Sequence, residues 1–343
     1  RLPDGSECGR GATQDALEQD DPNWYTRTAA ARSDFAENLE KTLAGRVGDD
    51  VISQAVYCAD GQAQVVRVMS NGFADENRGA WFAAGGEMTL EEGDKRPESS
   101  AYFAARYLDD LPAHEFIADE IVRRTRERLG SKAVESATYP LILLNRAAGR
   151  LLGAMAGPLS GGALHNRRTC FPDHIGKAIA SKHLNVIDDP TIPRGLGSRP
   201  WDGDARVAIP RTIIEDGVLR SYYIDVYYGR KLDMAPTTGS SSNWVIRPGQ
   251  QTWQEIAAAY PKAILVNGFL GGNSNSTSGD FSFGIRGVLV ENGEPTQSLS
   301  EMNVSGNVTD IFKRLVAVAD DPWKWSAVQS PTMVFEDVDF SGS

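Results

Sequence analysis

The sequence predicts an α+β protein in which a small mixed domain is followed by a larger domain rich in antiparallel strands. Its 343 residues fit two or three domains. Helical and strand-like patterns alternate in the region that begins at residue 33, which is typical of a small α+β unit. The dipeptides Asp216-Gly217 and Asn292-Gly293 lie between apolar runs and favour antiparallel hairpins. We therefore expect an irregular lead-in over 1–32, an α+β domain over 33–134 and a β-rich domain over 135–343.

Two helices are predicted in the first domain. The first begins at Ser33, where apolar residues start to recur at every fourth position and Asp34 and Glu37 form a candidate capping box. The second is expected over 113–129, because Ile117 and Ile121 lie on one face of a segment that is otherwise charged.

The strands between these helices are predicted to form hairpins. Residues 51–57 and 62–69 flank Asp60-Gly61, a dipeptide that favours a tight turn. Residues 80–90 repeat this pattern around Gly85-Gly86. We expect each glycine-containing dipeptide to reverse the chain.

The second domain is predicted to consist mainly of short strands. The clearest signal is the hairpin over 211–223, which turns at Asp216-Gly217. The remaining expected elements are a strand over 139–144, a helix over 147–155, a helix over 251–260, a helix over 308–318 and a strand over 332–340.

Charge and composition argue against binding to nucleic acid or insertion into a membrane. The formal net charge is −11 and the isoelectric point is about 5.0, whereas binding to phosphates needs clustered lysine and arginine. The densest basic segment contains Arg123 and Arg124, but acidic residues alternate with it, which indicates a solvated helix face. Cys8, Cys58 and Cys170 are too few and too scattered for a disulfide framework. No apolar run approaches about 18 residues, and we expect a cytoplasmic protein.

The segment from Gly268 to Gly284 is unusually rich in glycine, asparagine and serine. Glycine allows close approach of another chain, and amide and hydroxyl side chains supply neutral hydrogen-bonding groups. Two interpretations are open at this point. The segment is either a long irregular connection between two strands or the wall of a groove that holds an extended ligand.

Four long motifs resemble the TldD/PmbA family, which is also labelled "modulator of DNA gyrase". They lie at 138–165, 188–204, 213–243 and 271–307, in the order that the family shows. The resemblance implies an N-terminal α+β domain and an antiparallel β-rich C-terminal domain of the TldD/PmbA type. It also implies additional chain ahead of residue 1, since members usually carry more sequence there.

The TldD branch of this family carries a His-Glu-x-x-x-His zinc motif on a helix that follows a strand of the second domain. The matching positions here read Asn145, Arg146 and Arg150, so both imidazoles and the carboxylate are replaced. An arginine stays protonated and repels a divalent cation. We therefore expect no metal in this chain, and we expect Arg146 or Arg150 to pair with a carboxylate such as Asp225.

The resemblance places this chain in the PmbA, or TldE, branch. It implies a non-catalytic subunit that forms a heterodimer with a zinc-containing, TldD-like metallopeptidase, and peptide substrates that resemble microcin precursors and antitoxins. It further implies that substrate enters as an extended strand, which favours the groove interpretation. Our candidates for lining that groove are Asn273, Asn275, Asp280 and Ser282.

Two alternatives remain open at this stage. One is a peptidase that acts alone through a metal site built from His165, His174 or His183, which recur at nine-residue intervals. The other is a peptide-binding homodimer. Bound metal in the purified chain would separate the first alternative from the others.

Overall fold

The structure is a computed structural model that describes residues 7–342. Its helices are short except for two in the N-terminal part. They are α1 Gln14–Leu17, α2 Asn23–Thr26, α3 Ala29–Ala44, α4 His114–Arg126, α5 Ala148–Ala156, α6 Gly161–His165, α7 Val226–Leu232, α8 Trp253–Ala257 and α9 Val308–Ile311. Single 3-10 turns occupy Leu108–Asp110, Gly157–Leu159 and Phe312–Arg314. In this described part of the chain, no helix is both long and apolar enough to cross a membrane.

Within residues 7–342, the strands form three sheets, of three, seven and five strands. They are β1 Val51–Val68, β2 Ala74–Leu90, β3 Glu98–Ala105, β4 Ala137–Leu143, β5 Val186–Asp188, β6 Arg211–Glu215, β7 Val218–Leu219, β8 Trp244–Ile246, β9 Ala263–Ser274, β10 Asp280–Glu291, β11 Glu294–Ser298, β12 Met302–Asn307, β13 Leu315–Val318, β14 Val328–Gln329 and β15 Met333–Gly342. The expected α+β class is confirmed.

The N-terminal layer consists of the antiparallel sheet β1-β2-β3 and the helices α3 and α4. Leu39 and Leu43 of α3 meet Ile117 and Ile121 of α4 over Phe103 of β3, and all five side chains are fully buried. Apolar residues four positions apart on each helix produce this contact, because they lie on one helical face.

The expected hairpin turn at Asp60-Gly61 is wrong. Residues 51–68 form one continuous strand, in which Asp60 lies opposite Phe82 and Gly61 opposite Trp81. The partner strand β2 is almost as long, so it pairs with β1 throughout and the chain reverses only after residue 68. Asp60 is held in place by a bidentate ion pair with Arg32 of α3.

The expected turn at Gly85-Gly86 is also wrong, since both residues lie within β2. These glycines allow close packing and do not reverse the chain. A Cβ atom on Gly85 would lie 2.2 Å from the carbonyl oxygen of Ala101 on β3, and one on Gly86 would lie 2.6 Å from the carbonyl oxygen of Ala55 on β1. The central strand therefore needs glycine at both positions.

The first long helix begins earlier than the sequence predicts. Thr28 caps α3 by accepting a hydrogen bond from the backbone N–H of Ala31, at 3.1 Å. The predicted start at Ser33 and the capping box of Asp34 and Glu37 are therefore wrong, because those residues lie inside the helix. The second helix, α4, lies within its predicted range.

The seven-stranded sheet closes on itself through five of its strands. β10 pairs with β9 and β12, β12 pairs with β15, β15 pairs with β4, and β4 pairs with β9. Only the β4–β9 pairing in this circuit is parallel. β11 and β13 extend it at β10 and β15. The strands share the largest hydrophobic core of the molecule with helix α5.

Both predicted tight turns of the C-terminal part are present. Asp216 and Gly217 have φ angles of 46° and 77°, and Asn292 and Gly293 have φ angles of 53° and 88°. Positive φ at both central residues is the requirement of a type I′ turn. The predicted helix over 308–318 is wrong in its second half, because residues 315–318 form β13 and pair with β15.

The lead-in contacts the C-terminal part directly. The backbone N–H of Gly11 donates to the carbonyl oxygen of Pro200 at 2.7 Å. The backbone N–H of Arg194 donates to the carbonyl oxygen of Leu17 at 2.8 Å. Leu17 is fully buried. Residues 8–19 therefore run across the C-terminal part before the chain enters the N-terminal layer.

Candidate functional site

A cavity of about 450 Å³ lies where the N-terminal layer meets the C-terminal part. Asn145, Arg146 and Arg150, the positions that we expect to match the zinc motif, line it, together with residues of β3, α4, β9, β10 and the segment that leads into β14. The lining residues are Ser99, Ser100, Tyr102, Arg124, Asn145, Arg146, Ala147, Gly149, Arg150, Asn267, Gly268, Phe269, Arg286, Trp323, Trp325, Ser326 and Val328.

Asn145 follows strand β4 and is fixed by hydrogen bonds on both sides of its amide. Its Nδ2 donates to the backbone oxygen of Asp321 at 2.7 Å and to the carboxylate of Asp321 at 3.2 Å. Its Oδ1 accepts from the backbone N–H of Arg146 at 2.6 Å. Asp321 is fixed in turn by Thr332. Asn145 therefore serves to anchor the segment that follows β4.

Arg146 connects this segment to helix α4. Its Nη1 lies 3.6 Å from the carboxylate of Glu120, and its Nε donates to the backbone oxygen of Asn267 at 3.2 Å. Its side chain is 12% exposed. Burial, reinforced by the positive charges of Arg124 and Arg123, lowers the pKa of Arg146 to about 9, so the guanidinium is still charged at pH 7.

Glu120 is the shared acceptor of this cluster. It accepts hydrogen bonds from Arg123 at 2.8 Å and from Nε of Arg124 at 2.9 Å. Burial raises the pKa of the Glu120 carboxyl, but the hydrogen bond from Arg123 and the charges of the surrounding arginines outweigh burial and hold the pKa below its usual value. Glu120 is therefore a carboxylate at neutral pH.

Arg124 corrects the expectation that the basic segment is a solvated helix face. It is 8% exposed, and its Nη1 donates to the backbone oxygen of Ser100 on β3 at 3.1 Å. Burial lowers the pKa of Arg124. In an isolated sequence, the alternation of acidic and basic residues conceals the one arginine of this helix that faces inward.

Arg150 lies on the first turn of α5 and contacts the hairpin of β9 and β10. Its Nη2 donates to the backbone oxygen of Gly272 at 2.7 Å, and its guanidinium lies 4.7 Å from the ring centre of Phe283. The expected pairing of Arg146 or Arg150 with Asp225 is wrong. Asp225 caps helix α7 by accepting from the backbone N–H of Tyr228.

Two tryptophans form an aromatic wall that sequence reasoning missed. The rings of Trp323 and Trp325 lie 4.9 Å apart, and both contact Phe103 of β3. The indole N–H of Trp325 donates to the backbone oxygen of Asp110 at 3.3 Å. The signal that could have revealed them is the alternation of two tryptophans in a short polar segment after Pro322.

The segment from Gly268 to Gly284 is a β-hairpin, so the irregular connection is wrong. Strands β9 and β10 pair from Phe281 opposite Ser274 to Val290 opposite Ala263. On its other side, β9 pairs with β4 only through residues 264–266. Beyond this point, within residues 7–342, the edge of β9 over 268–274 has no strand partner. An unpaired edge offers backbone groups to an added strand.

The four candidate groove residues are placed at the far end of this hairpin and outside the cavity. Asn273 and Ser282 lie opposite each other on β9 and β10. Asn275 forms the turn, where its Oδ1 accepts from the N–H of Thr277 at 2.9 Å. Asp280 accepts from Asn307 at 2.8 Å and lines a different cavity with Arg314. The residues of the segment that do line the central cavity are Gly268 and Phe269.

The three recurring histidines do not converge. The ring of His165 lies beside Tyr228, and the Nδ1 of His174 lies 2.6 Å from the carbonyl oxygen of Pro172. The backbone N–H of His183 donates to Oγ of Ser181. Among residues 7–342, no three histidine, cysteine, aspartate or glutamate side chains are grouped so that they could hold a metal ion.

The chemistry at Asn145, Arg146 and Arg150 does not fit a zinc ion. Zinc needs imidazole, thiolate or carboxylate ligands. The amide of Asn145 is committed to Asp321, and the two arginines bring positive charge. Of the two carboxylates beside these residues, that of Asp321 is bound by Asn145 and Thr332, and that of Glu120 is shared by three guanidinium groups. These residues can position backbone and attract anions.

Comparison with known families gives a match over residues 136–342, to the PmbA/TldA metallopeptidase C-terminal domain. Among curated proteins, the chain is 28% identical over 257 residues to Metalloprotease PmbA of Escherichia coli O157:H7, a match that covers 74% of this chain and 57% of that protein. It is 29% identical to the PmbA homolog of Haemophilus influenzae, covering 71% of this chain and 54% of that protein. The chain therefore spans little more than half the length of the curated relatives it matches.

Solved structures support the same relationship. A protein of Bacteroides thetaiotaomicron that carries the description of a modulator of DNA gyrase is 34% identical, with a TM-score of 0.95 over all of this chain and 78% of that one. TldE of Thermococcus kodakarensis is 20% identical, with a TM-score of 0.83 over all of this chain and 79% of that one. The second likeness concerns the fold alone.

Proposed function

Because the chain belongs to the PmbA/TldD metallopeptidase family, we propose that it is a non-catalytic, TldE-like subunit of a two-subunit metalloprotease. In this proposal a TldD-like partner supplies zinc and cleaves the peptide. This chain binds the substrate and completes the enclosure around it.

One observation carries the proposal. The positions that match the zinc ligands and the general base are Asn145, Arg146 and Arg150, and each is committed to a contact within the chain. A guanidinium group cannot replace a glutamate as general base, since it stays protonated. The cavity therefore offers neither the metal ligands nor the general base that hydrolysis of a peptide by a zinc site requires.

The unpaired edge of β9 supports a role in holding substrate. An extended peptide that added to residues 268–274 would form backbone hydrogen bonds irrespective of its side chains. The edge leads directly into the cavity, because Gly268 and Phe269 line it. Such a site suits peptides of varied sequence, of which microcin precursors and antitoxins are our proposed examples.

We also propose that any effect on DNA gyrase is indirect, which agrees with the net charge of −11. The thiols of Cys8, Cys58 and Cys170 are free, which fits the reducing cytoplasm that we propose as the site of action.

The test combines metal analysis with peptide cleavage. The purified chain is assayed for zinc, and cleavage of an unstructured peptide is measured with this chain alone, with a TldD-like protein alone and with both. We expect no stoichiometric metal in this chain, no cleavage by it alone, and cleavage by the pair. One tightly bound zinc per chain with cleavage by this chain alone would establish the stand-alone metallopeptidase instead.

Size-exclusion chromatography with light scattering of the same samples tests whether the two chains associate. We expect them to co-elute with the mass of a heterodimer. If this chain forms a stable homodimer that binds peptide and does not bind the TldD-like protein, the peptide-binding homodimer is established and the subunit role is contradicted.

A further inference from the structure

The geometry points to a carboxylate-binding site in the cavity between the N-terminal layer and the C-terminal part. We propose that a peptide presents this carboxylate, at its C-terminus or on an acidic side chain. The inference deepens the proposed function by naming the ligand class, and it rests on that function only for the statement that the ligand is a peptide.

The first argument is charge. Four guanidinium groups line the cavity, those of Arg124, Arg146, Arg150 and Arg286, and none of its lining residues in the described chain carries a carboxylate. The carboxylates that pair with three of these arginines, Glu120 and Glu98, do not line the cavity, so the charged groups of its lining are all positive. Concave sites lined by one sign of charge concentrate ligands of the opposite sign.

The second argument is incomplete hydrogen bonding. Arg124 is more than nine-tenths buried, yet within residues 7–342 its Nη2 has no hydrogen-bond partner. The Nε of Arg286 is buried and equally unpartnered in the described structure, although Nη2 of the same side chain lies 3.4 Å from Glu98. Unpartnered buried donors are costly, so an acceptor that reached these two arginines from the cavity that they line would be stabilised.

The third argument distinguishes a peptide carboxylate from an inorganic anion. Tyr102, Trp323 and Trp325 add aromatic surface to the same cavity, and the unpaired edge of β9 reaches it at Gly268. A peptide uses all three features, since its carboxylate meets the arginines, its side chain meets the aromatic wall and its backbone meets the strand edge. Inorganic phosphate would use the arginines alone.

The size of the cavity agrees with this ligand. About 450 Å³ lies within the range of small-molecule sites and accommodates a carboxylate together with a residue or two of peptide. Arginine is suited to the task because its planar group can donate two parallel hydrogen bonds to a carboxylate.

The test measures binding to the purified chain by calorimetry, with three probes. The first is an N-acetylated tripeptide with a free C-terminal carboxylate, and the second is the same tripeptide with a C-terminal amide (the plain amide). The third is the C-terminal amide with one residue replaced by glutamate (the acidic amide). Inorganic phosphate is the fourth titrant. We expect the carboxylate peptide to bind saturably and at least tenfold more tightly than the plain amide and than phosphate.

Two variants and a control locate the binding. Arg286→Gln removes a half-buried guanidinium, and Arg124→Gln removes the buried one. Arg220→Gln is the control, because its guanidinium pairs with Glu215 on the surface hairpin of β6 and β7. We expect Arg286→Gln to weaken binding at least tenfold and Arg220→Gln to leave it unchanged. If Arg124→Gln does not fold, Arg286→Gln alone decides.

Each outcome has one meaning. Equal binding of the acidic amide and the terminal carboxylate supports the site and extends it to acidic side chains. The assignment is overturned if phosphate binds more tightly than both carboxylate-bearing peptides, or if the plain amide binds as tightly as both of them. Unchanged binding in Arg286→Gln or no binding of any peptide also overturns it. Metal content and cleavage with the partner test the proposed function separately, so the two can fail independently.

Discussion

Nη1 of Arg146 lies 3.6 Å from the carboxylate of Glu120, and this pair joins the segment after β4 to helix α4 of the N-terminal layer. In the proposed function, Arg146 stands at the position of the zinc motif's glutamate. Its side chain here joins two parts of the molecule and offers no group that could activate water.

Glu120 should contribute more to stability than Arg146. Glu120→Gln would leave Arg124 and Arg146 buried without their counter-charge, which costs about 3 kcal/mol of unfolding free energy. Arg146→Met would leave Glu120 paired with Arg123 and Arg124, so we expect a loss of only about 1 kcal/mol. Urea denaturation measures both values.

The control for this comparison is Arg96→Met, which breaks an exposed pair with Glu91. We expect no measurable change, since exposed ion pairs contribute little. A larger loss in Arg146→Met than in Glu120→Gln would show that the carboxylate is not the centre of the cluster.

The contribution of Glu120 should depend on pH in the acid range. Its pKa is lower in the folded chain than in the unfolded chain, so its stabilising effect is complete above the ordinary glutamate pKa of about 4.3 and is lost as the pH falls through the lowered folded value. The unfolding free energies of the native chain and Glu120→Gln should therefore converge as the pH is lowered from 6 to 3. Glu40→Gln, an exposed control on α3, should show no such convergence. A difference that stays constant over this range would contradict the prediction.

The sequence predicted those elements whose signals are local. The turns at Asp216-Gly217 and Asn292-Gly293 form because they require only a pair of residues that tolerate positive φ between two alternating runs. The same signal failed at Asp60-Gly61. There the long partner strand β2 pairs with both sides of the dipeptide, and this information lies elsewhere in the chain.

The site was only partly predictable for the same reason. Asn145, Arg146 and Arg150 were identified by a resemblance in sequence, and all three line one cavity. Their partners could not be predicted, because Glu120 and Gly272 are distant in sequence and reach the cavity only through the packing of α4 and the β9–β10 hairpin. The alternation of Trp323 and Trp325 is visible in the sequence, but their contact with Phe103 of β3 depends on how the two parts of the chain pack and could not be predicted from it.

Gly85 should tolerate no side chain. Alanine there would place Cβ 2.2 Å from the backbone oxygen of Ala101, and a backbone atom in a central strand cannot easily move. We expect Gly85→Ala to lower the unfolding free energy by about 3 kcal/mol. Gly153 in helix α5 is the matched control, because in the described structure no atom outside its chain neighbours and its own helix backbone lies within 4 Å of its Cβ position. Gly153→Ala should raise the unfolding free energy by about 0.5–1 kcal/mol. Equal effects at the two positions would contradict the packing of β2 against β3.

Peptide binding should depend on alternate backbone amides of the ligand. A strand that pairs with the edge of β9 over 268–274 directs every second N–H towards β9 and the others away from it. We compare two peptides of one sequence that are N-methylated at alternate residues, one at the odd positions and the other at the even positions. In one peptide the methyl groups remove every N–H that points towards β9, and in the other they remove only those that point away. The two affinities should therefore differ at least tenfold by calorimetry. Equal affinities would show that the ligand does not extend the sheet at β9, and would leave only the arginine-lined cavity to hold it.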